Sequence, residues 1–461
     1  MNTRNALLAV VSMMLLGGCS GSGEPGAPGT SPIQLTAAAD AVFVGERTQL
    51  VAVFDGSGSI EGIGPVQSGV PVDTPILSRT TRFTLRVSNA SGEAETSATV
   101  EARYRNRIRV LDPAPIAQTA HLAAALPGGR AMVMGGNTSA SVNVPDSTLT
   151  QIFDAATERF TPGPDLPFTA EAPRTSVVAL GSGGFLLVGT GTNAGAGPHG
   201  LVITEKFDAA AGTFTRVGDA ATDIPLRMAT ALSDGGALLS GGFTDAVDRY
   251  DPTTGQWRAI RPIRQVRALH SATLLRDGRV LIAGGLGCCN PPDPSQVSYL
   301  DTAEIYDPAT DAFTPAGSMS AARGAHAAAL LADGRVLISG GTTDGAAPPP
   351  LDTEIFDPAS GRFSSAGKLQ APRDSHAAVT LADGRVLVIG GRVPSEISGS
   401  PGVGLGSTEI FDPQTGLWSA GPTLAPAFYA ATVTLLSNGK VLVFGGQDAA
   451  GFPQSAAALF E

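Results

Sequence analysis

An aromatic residue followed by Asp, with a second aromatic seven positions after the first, occurs six times: Phe153/Phe160, Phe207/Phe214, Tyr250/Trp257, Tyr306/Phe313, Phe356/Phe363 and Phe411/Trp418. Upstream of each, an apolar run ends in Gly-Gly or a near equivalent, at Gly135-Gly136, Gly189-Thr190, Gly241-Gly242, Gly284-Gly285, Gly340-Gly341 and Gly390-Gly391. A seventh run ends at Gly445-Gly446. Successive aromatic pairs lie 43 to 56 residues apart. A unit this short cannot bury both of its faces, so the chain must stack copies of it into one continuous core.

Each copy reads as four short strands, as in HSATLL, RVLIAGG, TAEIYD and AFTPAG. Asp-Gly at 277–278, 333–334 and 383–384, or Asn438-Gly439, joins the first two strands, and these residues suit a tight type I′ hairpin. Segments such as DPTTG at 251–255 turn the third strand into the fourth. The paired glycines suit a place where backbones approach too closely for a Cβ.

With six whole copies and a partial seventh over about three quarters of the chain, this pattern resembles the kelch repeat. The resemblance implies an all-β fold, a seven-bladed kelch-type β-propeller over 105–461. Six fourth strands serve seven blades, so RNRIRVL at 105–111 is expected to supply the outermost strand of the last blade and close the ring.

The N-terminal part differs. Arg4 precedes the apolar run Ala6–Leu16, too short to span a bilayer, and Leu16-Gly17-Gly18-Cys19 is similar to the lipobox of bacterial lipoproteins. The resemblance implies a signal peptide over 1–19 and acylation of Cys19, hence a membrane partner held through a lipid anchor. Ser20, in place of an Asp retention signal, points to the outer membrane. Residues 20–32 read as a flexible tether reaching about 45 Å at most. Over 33–104 short alternating strands follow, with Phe83, Leu85 and Val87 at every second position. This stretch resembles a small Ig-like β-sandwich of the kind found in bacterial surface proteins, without the cysteine pair of antibody domains.

His121, His270, His326 and His376 occupy one position in blades one, four, five and six, where Thr175, Arg227 and Ala431 stand in the others. A residue needed for one chemical act is usually unique, so the recurring imidazole is expected to make a structural hydrogen bond from the first strand to neighbouring backbone. Arg267, Arg323 and Arg373 recur three residues earlier and read as blade-to-blade ion pairs or carbonyl caps.

Function is expected on the face that carries the second-to-third loops and the blade connections, because these segments are long and varied while the opposite turns are short and uniform. Candidate ligand-binding residues there are Cys288, Cys289, Asn290, Tyr299 and Arg392. Adjacent Cys288 and Cys289 read either as a strained vicinal disulfide or as thiols free for other partners.

A net charge of −11 without a basic run excludes phosphate-backbone binding as the basis of function, so no nucleic-acid partner is expected. Some kelch-like propellers resemble galactose oxidase, which binds copper through two tyrosines and two histidines, one tyrosine thioether-linked to cysteine. This sequence has no Tyr-His dipeptide, and Tyr250 and Tyr306 are repeat aromatics, which leaves Tyr299 and Tyr429. The copper set does not carry over, and no metal or cofactor is expected. A nucleophile elbow, a P-loop and an HExxH motif are also missing from the sequence. The sequence thus reads as a lipid-anchored binding protein recognising a glycan or protein. The alternative is a carbohydrate-active oxidase or lyase working on the same face.

Overall fold

Each repeat becomes one four-stranded antiparallel sheet whose strands follow chain order. The structure is a computed structural model and describes residues 33–138, 147–169, 175–180, 183–190, 202–220, 227–242, 244–287, 297–343, 349–393, 402–425, 427, 430–448 and 452–461. Cys19 and the tether lie outside the described residues, as do Cys288, Cys289, Asn290 and Tyr429. Every regular element described is a β-strand.

The fifth repeat shows why. Ala327–Leu330, Val336–Ser339, Asp352–Asp357 and Arg362–Lys368 pair in order. The second strand is buried at every position, as a strand covered on both faces must be, and the fourth is largely exposed. Phe356 stands directly across from Phe363, their ring centroids 5.0 Å apart. All six aromatic pairs adopt this cross-strand arrangement at 4.9–5.4 Å. The seven-residue spacing is therefore the length of one hairpin, and each pair contributes about 0.5–1.5 kcal/mol beyond its burial. The Asp of each motif folds back on its turn, as where the Ala309 N–H donates to Asp307 Oδ1 at 2.9 Å.

The turn between first and second strands differs from the type I′ expectation. Gly278 N–H donates to Leu275 O and Leu275 N–H to Arg279 O, with positive φ at Gly278 but not at Asp277. This is a three-residue loop closed by a left-handed glycine, the bulged alternative to I′, and Asp-Gly satisfies it because only the glycine needs φ > 0.

The described residues form seven such sheets, numbered here one to seven from the first strands Leu122–Leu126, Thr175–Ala179, Arg227–Ala231, Ser271–Leu274, Ala327–Leu330, Ala377–Thr380 and Thr432–Leu435. Each first strand lies beside the next, and that of sheet seven lies beside that of sheet one. In sheet seven the outermost strand is Ile108–Val110, paired with Ala457–Phe460 in the register Phe460↔Ile108 and Ala458↔Val110. The Glu461 carboxylate accepts from Arg107 and Lys440 beside it. Burial opposes its ionisation, but the hydrogen bonds from these two residues hold its pKa at about 2.

Ahead of the ring, two sheets share one core. Gln34–Ala37, Gln49–Val53 and Val72–Asp73 form a three-stranded sheet. Ala41–Phe43, Gly92–Arg103, Thr81–Asn89, Ser57–Ile60 and Gly64–Val66 form a five-stranded one. Leu35 and Leu50 from the first meet Ile60, Phe83, Leu85 and Val100 from the second. The alternation along Thr81–Asn89 buries Phe83, Leu85 and Val87.

Candidate functional site

The repeated histidines form seams between sheets. Each sits just ahead of a first strand and reaches with Nε2 to a hydroxyl of the preceding sheet. His121 meets Thr432 Oγ1 (2.8 Å), His270 Ser240 Oγ (3.2 Å), His326 Ser271 Oγ (2.9 Å) and His376 Ser339 Oγ (2.9 Å). At Nε2 the partner is a neighbouring side chain, where the sequence reading expected backbone. The strands supply the hydroxyls at positions that sequence reasoning did not single out.

The same packing explains the glycine pairs. A Cβ on Gly241, Gly284, Gly340 or Gly445 would come within 2.6–2.8 Å of the ring carbon Cε1 of the next sheet's histidine. A Cβ on Gly285, Gly341 or Gly391 would fall 2.7–2.9 Å from the Cβ of its own sheet's histidine. The Gly284-Gly285 and Gly340-Gly341 pairs thus make room for two imidazoles, one on either side. Burial pushes His121 down to about 4 and His270, His326 and His376 to about 3. An imidazole held neutral and bonded in this way is unsuited to exchange protons near neutral pH.

The arginines are struts within single sheets. Fully buried Arg323 donates to Glu354 Oε1 on the third strand of its own sheet (3.0 Å) and to the carbonyls of Gly340 (3.2 Å) and Asp352 (3.0 Å). Arg267–Glu304 (3.0 Å) and Arg373–Glu409 (2.7 Å) repeat the arrangement. The carboxylates also accept backbone N–H groups from the incoming connection, such as that of Ser320. Of the two sequence readings, the carbonyl cap is met and the blade-to-blade ion pair is corrected. The ion pair stays within one sheet, and the link across the seam is backbone, with Gly285 N–H donating to Arg323 O at 2.8 Å. The glutamates were missed, although they precede each third-strand aromatic by two positions.

One feature had no sequence signal. Among the described residues, the one before the histidine position in sheets one, four, five, six and seven has positive φ without being glycine: Ala120 (50°), Leu269 (53°), Ala325 (50°), Ser375 (51°) and Ala430 (56°). Such a conformation costs about 1–2 kcal/mol per residue. Its repetition marks a turn that the ring requires. There Ala325 N–H donates to Leu269 O (3.0 Å) and Ser375 N–H to Ala325 O (3.2 Å), linking sheets four, five and six by backbone.

Outside this collar, the residues after each glycine pair fold back on those ahead of the collar, giving a rim on the loop-bearing face. Thr119 bridges Asn137, Gly324 bridges Thr342, and Asp374 bridges Arg392. Leu286–Gly287 lies between Arg267–Ala268 and Ser298–Tyr299. Two of the sequence candidates stand here. Half-buried Tyr299 lies on Gly324 of sheet five, where a Cβ would come 2.8 Å from its ring. Arg392 of sheet six donates through Nε to Asp374 Oδ1 at 3.0 Å. Asp374 is 1% exposed, and its Oδ2 has no hydrogen-bond partner among the described residues. The same holds for the hydroxyls of Thr119 and Thr343 on this rim. Leu149 (42% exposed), Val403 (67%) and Phe452 (55%) bring apolar surface to the second-to-third loops of sheets one, six and seven.

The rim therefore presents apolar contacts above buried polar groups that lack partners among the described residues. Among the described residues no three His, Cys, Asp or Glu side chains are grouped to hold a metal. Tyr306 is engaged elsewhere, donating to Asp311 Oδ1 at 2.6 Å. The described tyrosines and histidines thus do not fit a copper centre of the two-tyrosine, two-histidine kind.

A family model described as "Kelch motif" matches residues 375–425, a range that contains all four strands of sheet six. The human protein "Kelch-like protein 33" is 34% identical over 93 residues, 20% of this chain, and the chain spans only 16% of that protein's length. A solved structure titled as a novel fungal alcohol oxidase with catalytic diversity among the AA5 family, in complex with copper, is 16% identical. It superposes with a TM-score of 0.60 over 77% of this chain and 75% of that one. These likenesses agree with the sheet geometry, and the fold is a β-propeller of kelch type.

Proposed function

We propose that this chain is a lipid-anchored envelope protein in which an Ig-like sandwich carries a seven-bladed propeller, and that the propeller's loop-bearing rim binds a glycan or a protein partner. The observation that carries the reading is the contrast between repeated and single polar groups. The recurring histidines and arginines are consumed in seams and struts. On the rim, Asp374, Thr119 and Thr343 each keep a buried oxygen without a hydrogen-bond partner among the described residues, and Val403 and Phe452 are exposed on the same loop-bearing face. Rigid scaffolds with varied loops commonly bind in this way. Cys19 would carry the acyl chains, and Cys288, Cys289 and Asn290 would extend the site from the sheet-four loop.

The test is retention of ligands from a glycan array and from envelope extracts by the chain starting at Ser20. Tyr299→Ala, Arg392→Gln and the double change Cys288→Ser/Cys289→Ser are compared with the parent. A specific ligand weakened tenfold or more by at least one of these supports the reading. Retention of nothing in either format contradicts it. Turnover of a sugar alcohol that tracks bound metal would favour the oxidase alternative on the same face.

A further inference from the structure

We propose that the N-terminal sandwich is a bracket fixed to the closing sheet of the ring, gripping the tip of sheet seven and so holding the strand that closes the propeller. The inference is independent of what the rim binds. Tyr104, the residue after the last sandwich strand, is buried between two turn tips of the ring. Its hydroxyl donates to Gly439 O at 2.6 Å and accepts from the Ala382 N–H at 3.1 Å, tying sheets six and seven. Its ring stands 5.5 Å from that of Phe460 on the third strand of sheet seven.

The tip of sheet seven is inserted into the sandwich. A Cβ on Gly439 would come 2.5 Å from Val44 Cγ1 and 2.7 Å from Ser78 O, and one on Gly45 would come 2.9 Å from Lys440 Cε. Val441, Val443, Ala458 and Phe460 share one apolar cluster with Leu50, Phe83 and Val100. The sequence of this tip departs from the others accordingly. Sheets four, five and six carry Asp-Gly-Arg tips whose Asp and Arg pair with each other, at 2.6, 2.7 and 2.7 Å. Sheet seven carries Asn438-Gly439-Lys440, and Lys440 turns away to Glu461 at 2.9 Å. Only Arg105, Asn106 and Arg107 separate Tyr104 from the closing strand Ile108–Val110. Asn106 is itself held by Arg385 at 2.9 Å. Chain with so little slack transmits any loosening of the sandwich to the closure.

Gly439→Ala and Gly334→Ala in the full chain separate this contact from turn strain. Both glycines have positive φ (+85° and +93°), but a Cβ at Gly334 meets only the flexible Arg276 side chain, at 3.2 Å. Hydrogen exchange is read at the amides of Arg107 and Leu111, which bond to Glu461 O and Ala457 O. The bracket predicts exchange at least tenfold faster in Gly439→Ala than in Gly334→Ala, and several-fold faster in Tyr104→Phe than in the parent. Equal exchange at both amides in the two glycine variants would overturn it. Should Gly439→Ala not fold, unchanged exchange at Arg107 and Leu111 in Tyr104→Phe would do so instead.

Discussion

Sheets one and five meet the same structural demand with different charges. In sheet five, Arg323 bonds to Gly340 O and Glu354, and Glu354 accepts the Ser320 N–H. In sheet one, Gln118 stands where Arg323 does and donates to Gly135 O at 2.6 Å. Gln151 stands where Glu354 does, donates to Gln118 Oε1 at 2.8 Å and accepts the Ile116 N–H at 3.1 Å. The bonds are the same and the charges are gone. Sheet three offers a further variant, with Arg227 at the histidine position bonded to Asp248 at 2.8 Å. What the ring needs is a satisfied set of buried carbonyls and N–H groups, for which an ion pair is one solution among several. Recurrence of an arginine or a histidine in this chain is therefore a mark of construction, and groups that occur once are the better guide to binding.

The comparison can be broken most forcefully with acid. The seam histidines have folded pKa values of about 3 to 4, while an unfolded histidine titrates near 6.5. Below that value the unfolded chain takes up protons that the folded chain refuses. Their neutral packing is thus fully tolerated above about pH 6.5, and stability falls as pH drops toward 4. At pH 5 the loss is about 2 kcal/mol per histidine as an upper figure. Melting temperature is expected to drop steeply between pH 7 and pH 5. Exchange should rise first at the seams 7–1, 3–4, 4–5 and 5–6, which hold a histidine. A flat melting profile over that range would show that the imidazoles are not sealed.

A smaller effect is expected from Ser271→Ala, which leaves His326 Nε2 without its hydroxyl. The loss is about 1–3 kcal/mol, measured by denaturant unfolding, and no loss would mean that the seam bond is replaceable by water. The smallest effect on stability belongs to the rim. Phe452→Ser with Val403→Ser should stay within about 0.5 kcal/mol of the parent in the same measurement, because both side chains are largely exposed. Ligand retention should nevertheless fall, and unchanged retention would move the site off this arc.

The propeller was legible because its signals are periodic. Cross-strand aromatics at fixed spacing, apolar second strands and Gly-Gly steps all report one hairpin-built unit. The bulged first turn was misread as I′ because Asp-Gly serves both turn types, and only the φ of Asp277 separates them. The left-handed residues Leu269, Ala325 and Ser375 were invisible, since tertiary closure imposes that conformation on side chains with no preference for it. The hydroxyl partners of the histidines were also hidden, because Ser240, Ser271 and Ser339 come from another sheet. For the rim, the variable loops placed Tyr299 and Arg392 on the loop-bearing face, where the structure has them, but the burial of Asp374 had no sequence signal. The seat of the sandwich left one trace, the Asn438-Gly439-Lys440 departure from the other tips.

A double-mutant cycle at the strut of sheet five tests the central claim most directly. Glu354→Gln or Arg323→Gln alone should cost about 3–5 kcal/mol by leaving a buried charge unpaired. The double variant reproduces the Gln118–Gln151 pair of sheet one and should return to within about 1 kcal/mol of the parent. Additive losses in the double variant would show that the charges themselves are required and would contradict the account.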